Sequence, residues 1–75
     1  MDPAEFDLQI RARRVKGEWG NCTHFPHYHN ELDASMAAAE VADQVERKTE
    51  AYPCYFCGGW HAGWALTEEE REQFS

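Results

Sequence analysis

Seventy-five residues with a formal charge of -7 make one small acidic domain, too short to bury a large core. Three cysteines cannot all pair, so a closed disulfide framework is excluded, and with glycine set aside no apolar run exceeds four residues, so a membrane span is excluded too. A chain this thin needs a staple, and a structural metal fits reduced thiols and a cytoplasmic setting.

Residues 1–20 read as an N-terminal arm. The start, Met1 to Phe6, has no periodicity and reads as a frayed tail or a vector-derived remnant. From Phe6 to Arg13 the chain alternates, with Phe6, Leu8, Ile10 and Ala12 on one face. That period of two predicts a half-buried strand. Gly17 and Gly20 then close the segment as a turn. Four acidic and four basic side chains balance in this arm, with Arg11, Arg13, Arg14 and Lys16 clustered. The remainder, residues 21–75, holds ten acidic and three basic side chains, which accounts for the whole charge. A body so acidic does not steer towards phosphates.

Residues 21–75 read as the metal-binding domain. Asn21 to Asn30 is aromatic and rich in donor side chains. Thr23, Phe25 and Tyr28 favour extended backbone, while Pro26 keeps the segment at an edge or in a loop. Asn30 then serves as an N-cap, with Asp33 at the third helical position. An alanine-rich helix follows over 31–48. Its predicted buried face is Ser35, Ala38, Ala42 and Val45, flanked by Leu32, Ala39 and Val41.

A short strand over Tyr52–Tyr55 runs into the C-x-x-C turn. Trp60 to Ala65 returns as the second strand of a zinc-ribbon-like hairpin. Thr67 and Glu70 then form a capping box for a short C-terminal helix that ends near Phe74. The expected class is α+β: short strand, alanine-rich helix, hairpin and terminal helix.

The chemistry sits in Cys54-Tyr-Phe-Cys-Gly-Gly-Trp-His61. Cys54 and Cys57 at C-x-x-C spacing can offer two thiolates to one tetrahedral ion. Gly58 and Gly59 allow the backbone to turn sharply after the second thiolate. His61 is then within reach of the same ion, most simply Zn2+. Cys22, returned to the site by the intervening helix, is the expected fourth ligand. His24 is its rival, replacing either Cys22 or His61. His27 and His29 read as loop histidines outside the ligand set.

This stretch resembles a group of short C-x-x-C-G-G-W-H proteins, mostly uncharacterised, from actinobacteria and their phages. The resemblance runs over roughly residues 21–64. It takes in Cys22, Tyr28, the alanine-rich helix, Tyr52, Cys54, Cys57, Gly58, Gly59, Trp60 and His61. It implies a zinc site and a strand–helix–hairpin layout, and it carries no established activity. The chain departs from the group after His61, with Ala62, Gly63, Trp64 and an acidic helix.

Three functions compete on these residues. The first is a non-enzymatic zinc-binding module that docks a protein through Trp60, Trp64 and Trp19, such as a phage-encoded protein on a host protein. Aromatic anchors are what such interfaces use. The second is a nucleic-acid-binding finger using Arg11, Arg13, Arg14, Lys16 and the aromatics. The third is a small metal-dependent nuclease built on His24, His27, His29 and Asn30.

Overall fold

The computed structural model describes residues 1–18, 22 and 25–74. The expectations placed on Trp19, Gly20, Thr23 and His24 lie outside these residues. The chain runs α1 (Pro3–Lys16), β1 (His27–Tyr28), α2 (Glu31–Ala42), β2 (Thr49–Pro53), β3 (Trp60–Trp64) and α3 (Glu68–Phe74). The sheet is antiparallel with strand order β1-β3-β2. The fold is α+β, as the sequence predicts. No helix among the described residues is long and apolar enough to cross a membrane.

The strand expected over Phe6–Arg13 is instead the middle of helix α1. The reason is local at its start. Asp2 is extended and its carboxylate accepts from Glu5 N, while Pro3 takes a position where its missing N–H costs nothing. The first residues therefore begin a helix rather than fray. Leu8, Gln9, Ala12 and Arg13 are buried, a helical spacing that includes two polar residues. Gly17 ends the helix at φ 92°, a conformation that favours glycine.

Helix α2 starts as predicted, with Asn30 Oδ1 accepting from Asp33 N at 2.9 Å. It stops at Ala42, earlier than the expected Lys48. Both Gln44 N and Val45 N bond Val41 O, which tightens the last turn and releases the chain. Arg47 and Lys48 thus lie beyond the helix. Its buried face is Ala34 and Ala38, whereas Leu32 is 69% and Val45 37% exposed. The small alanines let α2 lie close on β2 and β3.

The first hairpin strand lies earlier than read, at 49–53, and the second begins at Trp60 as read and ends at Trp64, with the C-x-x-C turn between them. Helix α3 carries the predicted capping box. Thr67 N donates to Glu70 Oε1 at 2.9 Å, and Glu70 N donates to Thr67 Oγ1 at 3.2 Å.

Apolar burial is modest, because most core side chains are alanines beside Leu8, Leu66 and Tyr52. A polar network joins the elements instead. Glu50 of β2 accepts from Gln9 Nε2 at 2.7 Å and from Arg13 Nη2 at 2.9 Å, both on α1. Glu50 also accepts from Leu66 N at 3.2 Å. Arg71 of α3 grips both oxygens of Glu5 at 2.8 Å, a two-point fork that ties the terminal helix to α1.

Candidate metal centre

The knuckle is built by backbone bonds around Cys54. Cys54 N donates to Gly59 O at 2.8 Å, and Gly58 N donates to Cys54 O at 3.2 Å. Gly58 sits at φ 74°, so a side chain there would be strained. The turn also aims Cys57 N at Cys54 Sγ, 3.4 Å away.

His61 enters from β3. Its ring is buried, with Nδ1 2.7 Å from Pro26 O and Nε2 3.2 Å from Cys57 Sγ. The carbonyl can only accept, so Nδ1 carries the proton and Nε2 is left with its lone pair facing the thiols. Cys22 arrives from the segment before β1. The donor atoms of Cys22, Cys54, Cys57 and His61 all lie within 4.8 Å of one another. A zinc ion bonded at about 2.3 Å to sulfur and about 2.0–2.1 Å to nitrogen spaces tetrahedral donors by roughly 3.5–3.8 Å. Three thiolates and an imidazole form a donor set suited to that ion, so the residues fit it.

Burial pushes the Cys22 thiol up to about 12, and the neighbouring Cys54 and Cys57 add to the effect. Left to itself this thiol keeps its proton. A cation at the centre reverses that balance by stabilising the thiolate.

The sequence-derived set is thereby brought together: Cys22, Cys54, Cys57 and His61 share one site. The rival His24 lies outside the described residues. His27 does not behave as a detached loop histidine. Its Nδ1 lies 3.2 Å from Cys57 Sγ, and β1 pairs it in register with His61. Gly59 makes room for it, since a Cβ at Gly59 would collide with the His27 ring. The signal for His27 was the second glycine of the pair, which needs a neighbour to explain it. Where a metal holds Cys57, His27 can donate a hydrogen bond to the bound sulfur. His29 lies farther out, its ring 5.8 Å from that of His27.

The other nominated residues scatter. Trp60 is half-buried and meets Phe6 edge-on at 6.1 Å, while Trp64 is 37% exposed with Arg47 above its ring at 4.6 Å. Trp19 is outside the described residues. Arg11 pairs with Asp7, Arg13 with Glu50 and Lys16 with Glu70. Arg14 lies 5.3 Å from the Tyr55 ring, at the exposed tip of the knuckle.

The fold and the cluster define a small α+β domain with a candidate Cys3His metal centre. No protein-family model matches the chain, and neither a curated protein nor a solved structure matches it.

Proposed function

We propose that the protein is a non-enzymatic interaction module whose fold is stapled by one zinc ion held by Cys22, Cys54, Cys57 and His61. The observation that carries this is the four-donor cluster, assembled from the segment before β1, the knuckle and β3. Four protein donors complete a tetrahedral ion and leave no position for a reacting water, which is the pattern of structural sites. The ion supplies cross-linking strength, and the residues around it orient and shield it. Its binding free energy, roughly 10–16 kcal/mol in small zinc modules, adds directly to folding. The working surface lies elsewhere, at the tryptophans of β3, and the partner is a cytoplasmic protein. Taken with the resemblance to C-x-x-C-G-G-W-H proteins, this makes the partner a host protein of a phage.

Nucleic-acid binding has less support, because Arg11, Arg13 and Lys16 already face carboxylates. The nuclease reading loses Asn30, whose side-chain oxygen caps α2.

The test is a capture experiment from host lysate with zinc-loaded protein and with Trp64→Ala, each checked for metal content. Specific capture lost in the variant, with zinc retained, supports the module. Affinity for single-stranded DNA that collapses as salt rises would replace it with the nucleic-acid reading.

A further inference from the structure

The four donors of the metal centre are not equally sheltered. Cys54 and His61 are buried and Cys22 is half-buried, whereas Cys57 is exposed. A reagent arriving from solvent therefore meets the Cys57 sulfur first. A second sulfur is within reach of it, since Cys54 Sγ and Cys57 Sγ belong to a set of donor atoms all within 4.8 Å of one another. The Cys54 sulfur also lies against the backbone of Cys57, 3.4 Å from its N.

A metal-held thiolate remains a nucleophile, and a hydrogen bond to the sulfur draws off electron density and lowers its reactivity. His27 Nδ1, 3.2 Å from Cys57 Sγ, is placed to give that bond. His27 is itself exposed, so its ring tempers the sulfur without sealing it from solvent.

We propose that Cys57 is the point at which hydrogen peroxide modifies this protein, that Cys54 resolves the product to a disulfide, and that His27 sets the rate. The Cys57 thiolate attacks one peroxide oxygen. A sulfur–oxygen bond forms, the oxygen–oxygen bond breaks and hydroxide leaves, so the sulfur is oxidised to a sulfenic acid and the peroxide is reduced. The Cys54 thiolate then attacks that sulfur, forming the disulfide and expelling a second hydroxide. Only Cys22 and His61 then remain to hold the ion, which departs with its charge unchanged. Its loss removes the staple, so oxidation loosens the fold, and a dithiol reductant with fresh zinc restores it. This deepens the zinc-stapled reading and rests on it.

The experiment treats zinc-loaded protein with hydrogen peroxide, follows released zinc with a coloured chelator and maps tryptic peptides over time. Cleavage after Lys16, Arg47, Lys48 and Arg71 leaves Cys22 on a 17–47 peptide and both Cys54 and Cys57 on a 49–71 peptide. Zinc release should keep pace with a 49–71 peptide lighter by two hydrogens, while Cys22 stays open to alkylation. Dimedone added with the peroxide should tag Cys57. His27→Ala, and Gly59→Ala, which displaces the ring, should speed release about two- to tenfold, as expected for one hydrogen bond. His27→Phe, which keeps a ring without the N–H, should match His27→Ala. His27→Asn, which returns an N–H near the place of Nδ1, should recover the parent rate. A disulfide joining the two peptides, or a first tag on Cys22, would overturn the proposal. So would a His27→Ala rate equal to the parent's, or a His27→Phe rate as slow as the parent's. If zinc is present and peroxide leaves the 49–71 peptide unchanged, the oxidation site is wrong and the stapled reading stands. If the purified protein holds no zinc, both fall.

Discussion

His27 Nδ1 lies 3.2 Å from Cys57 Sγ, in space that only the absence of a side chain at Gly59 leaves open. The contact links the edge strand β1 to the exposed thiol of the knuckle. A hydrogen bond there lowers the electron density on sulfur and holds Cys57 in place for the ion.

Gly59→Ala should displace the His27 ring and cost Cys57 that bond. A loss of about 0.5–1.5 kcal/mol is expected, matched by His27→Ala, because both remove the same exposed contact. The double variant should be no worse than His27→Ala alone. Melting curves of the three zinc-loaded variants check this. Losses that simply add would mean that Gly59 and His27 act independently.

Metal removal should unfold the domain. One zinc per chain is expected by elemental analysis, and chelation should abolish the folded circular dichroism signal. Cys54→Ser and Cys57→Ser should prevent folding, and Cys22→Ser should be nearly as severe. With its thiol pushed up to about 12 by burial, Cys22 must release a proton when the ion binds. Zinc affinity in a chelator competition should therefore rise between about pH 6 and about pH 8. Unchanged spectra after chelation would remove the staple.

Glu50→Ala should be severe without touching the metal site. It leaves the Arg13 guanidinium, with 5% of its side chain exposed, without this carboxylate. Breaking such a buried pair costs about 3–5 kcal/mol. Adding Arg13→Met should recover part of the loss by removing the stranded charge. Urea unfolding of the parent, single and double variants measures the coupling. A double variant worse than Glu50→Ala would show that Arg13 contributes chiefly through its stacking on Tyr52, whose ring centroid lies 3.6 Å away.

Acid should expose the tie between α1 and α3. The hydrogen bond from Lys16 holds Glu70 at about 2, below the ordinary value of 4.5, with Thr67 N helping. A depressed carboxylate stabilises the fold in its ionised form. That contribution is complete above about pH 4.5 and disappears as the pH falls towards about 2. Glu5, lowered by Arg71, acts in the same direction. Glu70→Gln should thus be less stable than the parent at about pH 6, with the difference closing in acid. A pH-independent difference between the two proteins would mean that the carboxylate charge is not what stabilises the contact.

Trp64→Ala should keep zinc and cost little stability. The ring is 37% exposed, and its contact with Arg47 is a surface one. A loss of about 1 kcal/mol, or roughly 4–8 °C in melting temperature, is expected. A much larger drop would make Trp64 a core residue.

Local chemistry was legible wherever its partners lie within a few residues. Asn30 with Asp33, and Thr67 with Glu70, are caps that close over three positions, and both form as read. Cys54, Cys57 and His61 sit at spacings that a single turn and hairpin bring together. Cys22 was the nearest candidate for the fourth donor, with His24 its rival, and the structure places Cys22 in the cluster.

Long-range pairing decided what those patterns do not encode. The alternation of Phe6, Leu8, Ile10 and Ala12 imitates a strand, because an apolar pattern carries no sign of buried polar residues. The buried positions of α1 include Gln9 and Arg13, whose partner Glu50 lies 41 and 37 residues away. A polar side chain enters a core only where another element satisfies it, and no local spacing announces that element. His27 is exposed, yet its place too is set at long range: the sequence puts it in a loop, and pairing with His61 in the sheet brings its ring to Cys57. The sequence by itself determined the caps, the knuckle and the close approach of Cys54, Cys57 and His61. The tertiary structure decided which polar groups are buried, because burial is a property of the pair and not of either residue.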